Sequence, residues 1–517
     1  MKSTIHQHYV ALIMSLIFVL QTHAVDLNSV FTDHMVIQRD QPIEFFGAGT
    51  PYEEFDVHFN GKIVHVKTDV QGEWSATFPA MQASFTAHRL LITSQKREQE
   101  IEINDILIGD VWICAGQSNM GWGLFQTIPQ PTQYQKSNQL RLLRSKTPRG
   151  TQKPSQDFVI NPQFNQSWQH ATRTYAQNFS AVSYYFGLKT TTELNIPIGL
   201  IESSLGGTGI QCWMPLGALQ SHPDYDEIQK HYETEINWAK EHAKTPQILE
   251  TYRQKRPSQL YNGMLHPLTR LKIKGMIWYQ AENNAPDYKI YRTLFPAAIK
   301  GWRKVWGQGD FPFFFVQLPG FSGSNDWQKN RTKFWPYQRE SQEHALKLSN
   351  TGMTVTIDLG HETNIHPKYK QPIGERLARH AIALEKQKTL TSGPVLIDVT
   401  KHGKSAILTF DHVGSGLQSR NIRIGKKLDD LELDTEAHII PKEILAGFEV
   451  CGKDKKFYPA LAAITTTNSI IVWSENVSLI HKVRYAFKAF PLCNLFNSEG
   501  LPAQPFRTDT FDFNATQ

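Results

Sequence analysis

The sequence predicts an α/β fold: a mostly parallel sheet covered by helices, with β-rich regions toward either end of the chain. Three observations carry this. From Ile106 onward, apolar strand-like runs alternate with helix-like stretches, as parallel strands joined by crossover helices require. Before about Asp105 and after about Gly393, short alternating runs are separated by turn residues. At 517 residues, the chain exceeds what one hydrophobic core usually serves, so two or three domains are expected.

Residues 1–24 read as a targeting segment. Lys2 gives a positive start, Tyr9–Leu20 an apolar stretch too short to span a bilayer, and Thr22-His23-Ala24 a small-residue cleavage site. The mature chain is therefore expected to start near Val25 and to be exported to a periplasmic, extracellular or lysosome-like space. Residues 25–105 form the first β-region. Phe55–Phe59 alternates, Asn60-Gly61 is a hairpin turn, Ile63–Lys67 returns, and Trp74–Phe78 follows.

Residues 106–390 carry the strand–helix alternation. Ile106–Ala115, Pro197–Glu202, Gly275–Tyr279, Phe311–Leu318 and Gly352–Leu359 are the expected strands. Phe179–Glu193, Tyr288–Trp306 and Ile373–Leu384 are the expected helices, their apolar residues recurring at helical spacing. Leu216–Leu260 is polar and helix-like, a surface excursion near the strand ends. Residues 391–517 return to β patterning, with strands expected at Ala406–Phe410, Ser469–Trp473 and Lys482–Phe487.

Composition narrows the function classes. The chain is 40% hydrophobic, 20% charged and 11% aromatic, which suits a globular protein. Its net charge of +6 is small for the length, and no dense Lys/Arg cluster points to nucleic acid. Beyond the leader, no segment has transmembrane length. Of the four cysteines, Cys114 lies within an apolar strand as a packed thiol. Cys451 and Cys493 leave a pairing open, and no Cys-x-x-Cys spacing suggests a metal.

Polar groups of residues stand at the carboxyl ends of four proposed strands, where ligands bind in open α/β sheets. They are Gly116-Gln117-Ser118-Asn119, Ser203–Thr208, Gln280–Asn284 and Asn364-Ile365-His366-Pro367. An ester-cleaving site needs a nucleophile, a base, a group orienting that base, and oxyanion donors. Ser118 suits the nucleophile, and His366, held by Pro367, the base. The Ser118 backbone N–H, Gly207 and Asn284 suit the oxyanion hole, while Gln117 and Gln280 are expected to contact substrate. A zinc reading of His361, Glu362 and His366 fails because the histidines are five apart where a zinc helix needs four, and Pro367 follows. Asp110, before the nucleophile strand, is expected to serve structure.

These groups resemble the SGNH hydrolases, and within them the sialate O-acetylesterase-like family. Phe31–Arg39, Gly116–Met120, Tyr261–Met264 with His266-Pro267-Leu268, Asn494–Asn497, Gly500-Leu501-Pro502 and Pro505-Phe506-Arg507 are similar to its ordered blocks. The resemblance implies a three-layer α/β/α core between amino- and carboxy-terminal β-domains, no cofactor, no metal, and removal of O-acetyl groups from sugars. It assigns the nucleophile to Ser118, the base to His366, and oxyanion roles to Gly207 and Asn284. The sugar it implies first is 9-O-acetylated sialic acid, followed closely by acetylated plant or algal polysaccharide. This chain departs from many relatives in having Asn364 for an aspartate, Ala281 for a glycine and Leu205 for a tryptophan. Asparagine cannot stabilise an imidazolium as an anion does. The resemblance to acetylxylan esterases, which use the glutamate of the Gln280–Asn284 group, implies Glu282 as the orienter of His366, with Asp358 in reserve. The same departures motivate a rival expectation, a sugar-binding protein that has lost turnover. The sequence sets no oligomeric state.

Overall fold

The computed structural model describes residues 25–94, 99–128, 139–146, 151–387, 389–427 and 434–511. The expected leader, 1–24, lies outside them. The central sheet is built from β1 (Gln99–Gly116), β2 (Leu140–Arg144), β3 (Gln169–His170), β4 (Ile198–Ser204), β5 (Gly275–Tyr279), β6 (Phe313–Val316) and β7 (Thr351–Thr354), in the order β3-β2-β4-β1-β5-β6-β7. Every neighbouring pair from β2 to β7 is parallel, and only β3 runs antiparallel to its neighbour. Sheet order reverses around β1, so β4 and β5 flank the strand that ends at Gly116.

Both faces of the sheet are covered, and β6 shows how. Phe313 and Phe315 meet Phe295 of helix α4 (Tyr288–Trp306), and Phe313 stacks on Trp302. Phe314, pointing the other way, meets Trp112 of β1 and His380 of α7 (Gln371–Ala383). Alternate residues of a strand face opposite sides, so such a run is apolar throughout. Helix α1 (Ala181–Leu194) begins at Ser180, whose hydroxyl accepts from Ser183 N, and ends at Asn195 in the left-handed conformation. It packs against α7 so closely that a Cβ on Gly374 would fall 2.5 Å from Val182 O. The polar excursion folds as α2 (Tyr225–His242) and α3 (Pro246–Arg253). Helices α5 (Asp326–Thr332) and α6 (Trp335–Glu343) follow β6.

The border expected at Asp105/Ile106 falls inside one strand. The first half of β1 pairs antiparallel with Ser84–Ser94, and its second half enters the parallel sheet. Asp105, at φ +55°, makes the change of direction and is held by Arg141 and His34. Apolar runs also outlast the strands they predict: Phe311–Leu318 contributes only Phe313–Val316, and Gly352–Leu359 only Thr351–Thr354. The carboxy-terminal strands Ser405–Asp411, Ser469–Trp473 and Lys482–Tyr485 stand where alternation places them.

One continuous core joins residues of all three regions, from Val25 to Ala503. Buried Arg339 of α6 donates to the carbonyls of Ala486, Lys488 and Ala489, and Arg507 grips Glu340 through two bonds of 2.7 and 2.8 Å. His438 reaches Glu362 at 3.0 Å, so the last β-region also steadies the loop that carries His366. Cys114, Cys212, Cys451 and Cys493 are all buried free thiols, so the pairing left open for Cys451 and Cys493 is not made. Asp110 has the structural role expected of it, bound by Arg39 and Gln38. Among the described residues no helix is long and apolar enough to cross a membrane.

Candidate active site

The chain turns sharply where β1 ends. Gly116 sits at φ +146°, and a Cβ there would lie 2.1 Å from Tyr279 O, so only glycine fits. Gln117 N donates to that same carbonyl, and Ser118 opens a single helical turn, Ser118–Gly121. The serine is thus delivered at the carboxyl edge of the sheet. Its neighbour across the edge is the loop after β4, where a Cβ on Gly206 would come within 3.2 Å of the Ser118 Cβ. Glycine lets that loop lie directly against the serine.

His366 arrives from the far side. The side chain of Asn364 accepts the His366 backbone N–H at 2.9 Å, forming a local turn before Pro367. Nε2 of His366 lies 2.8 Å from Ser118 Oγ, and the Trp122 ring stacks on the imidazole at 4.5 Å and 21°. Burial and the nearby Lys370 charge push the histidine down to about 4. The ring is therefore neutral at pH 7 and able to accept a proton at Nε2.

The three candidate orienters go elsewhere. Glu282 is buried; its carboxylate accepts from Asn119 Nδ2 at 2.6 Å and from Ala281 N at 3.0 Å. Asp358 is held by both ends of the Arg376 guanidinium at 2.7 and 2.6 Å. Asn364 serves the backbone of His366, not its ring. Among the described residues, no side chain hydrogen-bonds His366 Nδ1.

What Glu282 builds instead is a buried strut. Lys370 Nζ donates to Asn119 Oδ1 at 2.5 Å, while Asn119 Nδ2 donates both to Glu282 and to Ile365 O, at 3.1 Å. An ammonium can only donate, which fixes the amide with its oxygen toward Lys370 and its nitrogen toward Glu282. Asn119 follows the serine and Ile365 precedes the histidine, so one amide ties both loops together. Burial pushes the Glu282 carboxyl up and the Lys370 ammonium down to about 7, with each charge favouring the other. Ala281, where a glycine was expected, adopts φ +156° with ψ −16° and presents its N–H to Glu282. That is a conformation L-residues rarely occupy.

The expected oxyanion donors are held in different ways. Gly207 takes φ +69° with open space where a Cβ would be. The Asn284 side-chain oxygen accepts from Ile210 N and Gln280 Nε2, and its nitrogen donates to Gln211 at 3.1 Å, leaving one amide proton. Gln117 is buried, its side-chain oxygen 3.4 Å from Asn283 N. Gln280 is not placed to contact substrate. It is fully buried and spends its amide on Thr208 O, Asn284 and the Tyr291 hydroxyl, bracing the loop from within.

Trp122, Asn119 and Lys370 escaped the sequence reading. Asn119 directly follows the serine, Trp122 lies two residues beyond the Gly116–Met120 block, and Lys370 lies four residues beyond His366, so proximity to the motifs was their only signal. The rejected zinc trio stays apart: His361 Nδ1 accepts from Thr363 N and Asn364 N, while Glu362 pairs with His438. Elsewhere, His34, Asp105 and His170 converge, but the Arg141 guanidinium reaches Asp105 at 2.6 Å and His170 at 3.1 Å, supplying the positive charge there.

Comparison with known proteins identifies the family. A family profile described as carbohydrate esterase, sialic acid-specific acetylesterase, matches residues 108–383. The chain is 28% identical over 453 residues to sialate O-acetylesterase of Rattus norvegicus, covering 78% of each protein. It is 28% identical over 449 residues to the Homo sapiens sialate O-acetylesterase, covering 80% of this chain and 77% of the relative. Among solved structures, a carbohydrate acetylesterase from Xanthomonas citri superposes with a TM-score of 0.76 at 31% identity, over 94% of this chain and 100% of that one. The chain thus belongs to the sialic acid-specific acetylesterase family of carbohydrate esterases, and it is an ester hydrolase.

Proposed function

We propose that this chain is an exported carbohydrate O-acetylesterase of SGNH type, with Ser118 as nucleophile and His366 as its base. The observation that carries the reading is the 2.8 Å approach of His366 Nε2 to Ser118 Oγ at the sheet's carboxyl edge. Ser118 Oγ attacks the acetyl carbonyl carbon as its proton passes to Nε2. The backbone N–H groups of Ser118 and Gly207, with the remaining Asn284 amide proton, receive the oxyanion. Collapse breaks the bond to the sugar oxygen, which takes the proton back from His366. Water then attacks the acetyl-enzyme, giving a proton to Nε2. Collapse breaks the bond from the acetyl carbon to Ser118 Oγ, Oγ takes that proton back from His366, and acetic acid leaves, ionising to acetate in solution.

With no carboxylate among the described residues bonded to Nδ1, the imidazole is held by Trp122 stacking and by the Asn364 turn. Its low basicity has a visible consequence. kcat/KM for p-nitrophenyl acetate is expected to be flat above about pH 5 and to fall tenfold per unit below about pH 4, because only the neutral ring can accept the proton. An inflection near the ordinary histidine value of about 6.5 would count against this environment.

The family description and the mammalian relatives favour O-acetylated sialic acid as substrate, with the 9-O-acetyl ester and, as alternative, acetylated polysaccharide following from the sequence resemblance. The leader pattern supports export. Acetate release by the purified chain from acetylated sialic acid and from acetylated xylan decides between them, with sialate expected to be the faster. Sugar binding without acetate from either substrate, or from p-nitrophenyl acetate, would favour the rival reading of a binding protein.

A further inference from the structure

A groove lies between the Asn283–Asn284 loop of the candidate active site and helix α2 of the polar excursion. It encloses about 310 Å3, within the usual range for small-molecule sites of about 300–1,000 Å3. Asn283 and Asn284, the latter a proposed oxyanion donor, line it together with His231 of α2, Asp287 and Arg331 of α5. Several of these polar groups are unspent. Asp287 precedes α4 but does not cap it, and its nearest charged partner, His231, stands 3.8 Å away. Arg331 donates to Asn283 O at 3.0 Å, which fixes the wall next to the active-site loop.

A second, independent feature adjoins the first. Arg331 lies over the ring of Trp327 at 5.0 Å, and Trp327 is the most exposed large hydrophobic residue among those described, at 68%. The exposed ring thus lies against the guanidinium of a residue that lines the groove. Pyranose rings present apolar C–H faces and polar hydroxyl rims, so an aromatic plate beside unspent acceptors and donors is suited to them. The lining charges also choose among sugars. Asp287 and Glu235 are set against Arg331, Lys255 and His231, leaving no uniformly positive field to attract an acidic unit.

We infer that this groove is a subsite for a neutral sugar residue adjacent to the acetylated one, with Trp327 as its stacking plate and Asp287 as an acceptor for its hydroxyls. The inference rests on the esterase reading for its direction, since the acetylated unit must lie at Ser118. The enzyme is then a glycan deacetylase that prefers a linked sugar to a free one.

The test does not depend on turnover. Saturation-transfer NMR of unacetylated lactose and xylotriose with the full chain is expected to show contact with at least one of them. That contact should be lost in Trp327→Ala, an exposed position whose change leaves the core intact, and in Asp287→Ala. In kinetics, 9-O-acetylated sialyllactose should exceed free 9-O-acetylated sialic acid in kcat/KM by roughly tenfold, as one stacking contact would give. In the two variants the ratio should approach one. Absence of contact from both sugars with the wild type, or a preference that survives both substitutions, overturns the subsite. Failure of p-nitrophenyl acetate hydrolysis would instead strike the esterase reading, while the NMR result still decides the groove.

Discussion

Ser118→Ala is expected to lower kcat for p-nitrophenyl acetate by about a thousandfold or more, measured on the purified chain against wild type. The substitution removes only Oγ. The Cβ that Gly206 approaches remains, and the turn after Gly116 depends on that glycine, so the loss reports chemistry and not folding. Some hydrolysis over the rate in water should persist, because backbone donors still hold an oxyanion when water replaces the serine. His366→Ala should fall to a similar rate, and the double variant should be no slower than the slower single one. Groups that act as a unit are lost once, not twice. Equal rates for wild type and Ser118→Ala would remove this serine from the reaction.

What the sequence carried to this point, and what it did not, divides along a physical line. Apolar runs giving way to polar residues marked the strand ends, because a buried parallel strand must be apolar on both faces, and at Gly116 the turn needs a residue without Cβ. Ser118 and His366, some 250 positions apart, came together because each closes a strand or a turn at one edge of that sheet. Pairings between side chains were not legible. Nothing in the residue string says that Glu282 meets Asn119 before it can meet His366, or that Arg376 has already claimed Asp358. Gln280 sits next to the active-site loop in sequence yet faces inward, because the residue after a buried strand can still point at the core. The border was placed at Asp105, but that a single strand runs through it was not legible, for a related reason. A strand that leaves one sheet and enters another keeps its alternation, and only the positive φ at Asp105 records the change.

The buried strut makes the second large prediction. Glu282→Gln keeps the shape and an oxygen for Asn119 Nδ2, but it strips the anion that compensates Lys370, which is itself fully buried. Removing one partner of a buried charge pair typically costs about 3–5 kcal/mol, so the urea midpoint should fall clearly. Catalysis should fall less steeply, by about ten- to a hundredfold in kcat, the range seen when a supporting partner behind a functional group is lost. The reason is that Asn119 would still span Ser118 and Ile365, only less firmly. Were Glu282 instead the group that steadies the imidazolium, the loss would approach about four orders of magnitude, as for an orienting carboxylate turned to amide.

Lys370→Met separates the two cases further. Combined with Glu282→Gln it removes both charges, and much of the lost stability should return, which a role directed at His366 does not predict. The single Lys370 substitution also withdraws the positive charge that helps hold His366 low. Protonating the ring then becomes easier, so the acid limb of kcat/KM should move to higher pH. A limb that stays in place would mean that the strut holds the loops together without acting on the base.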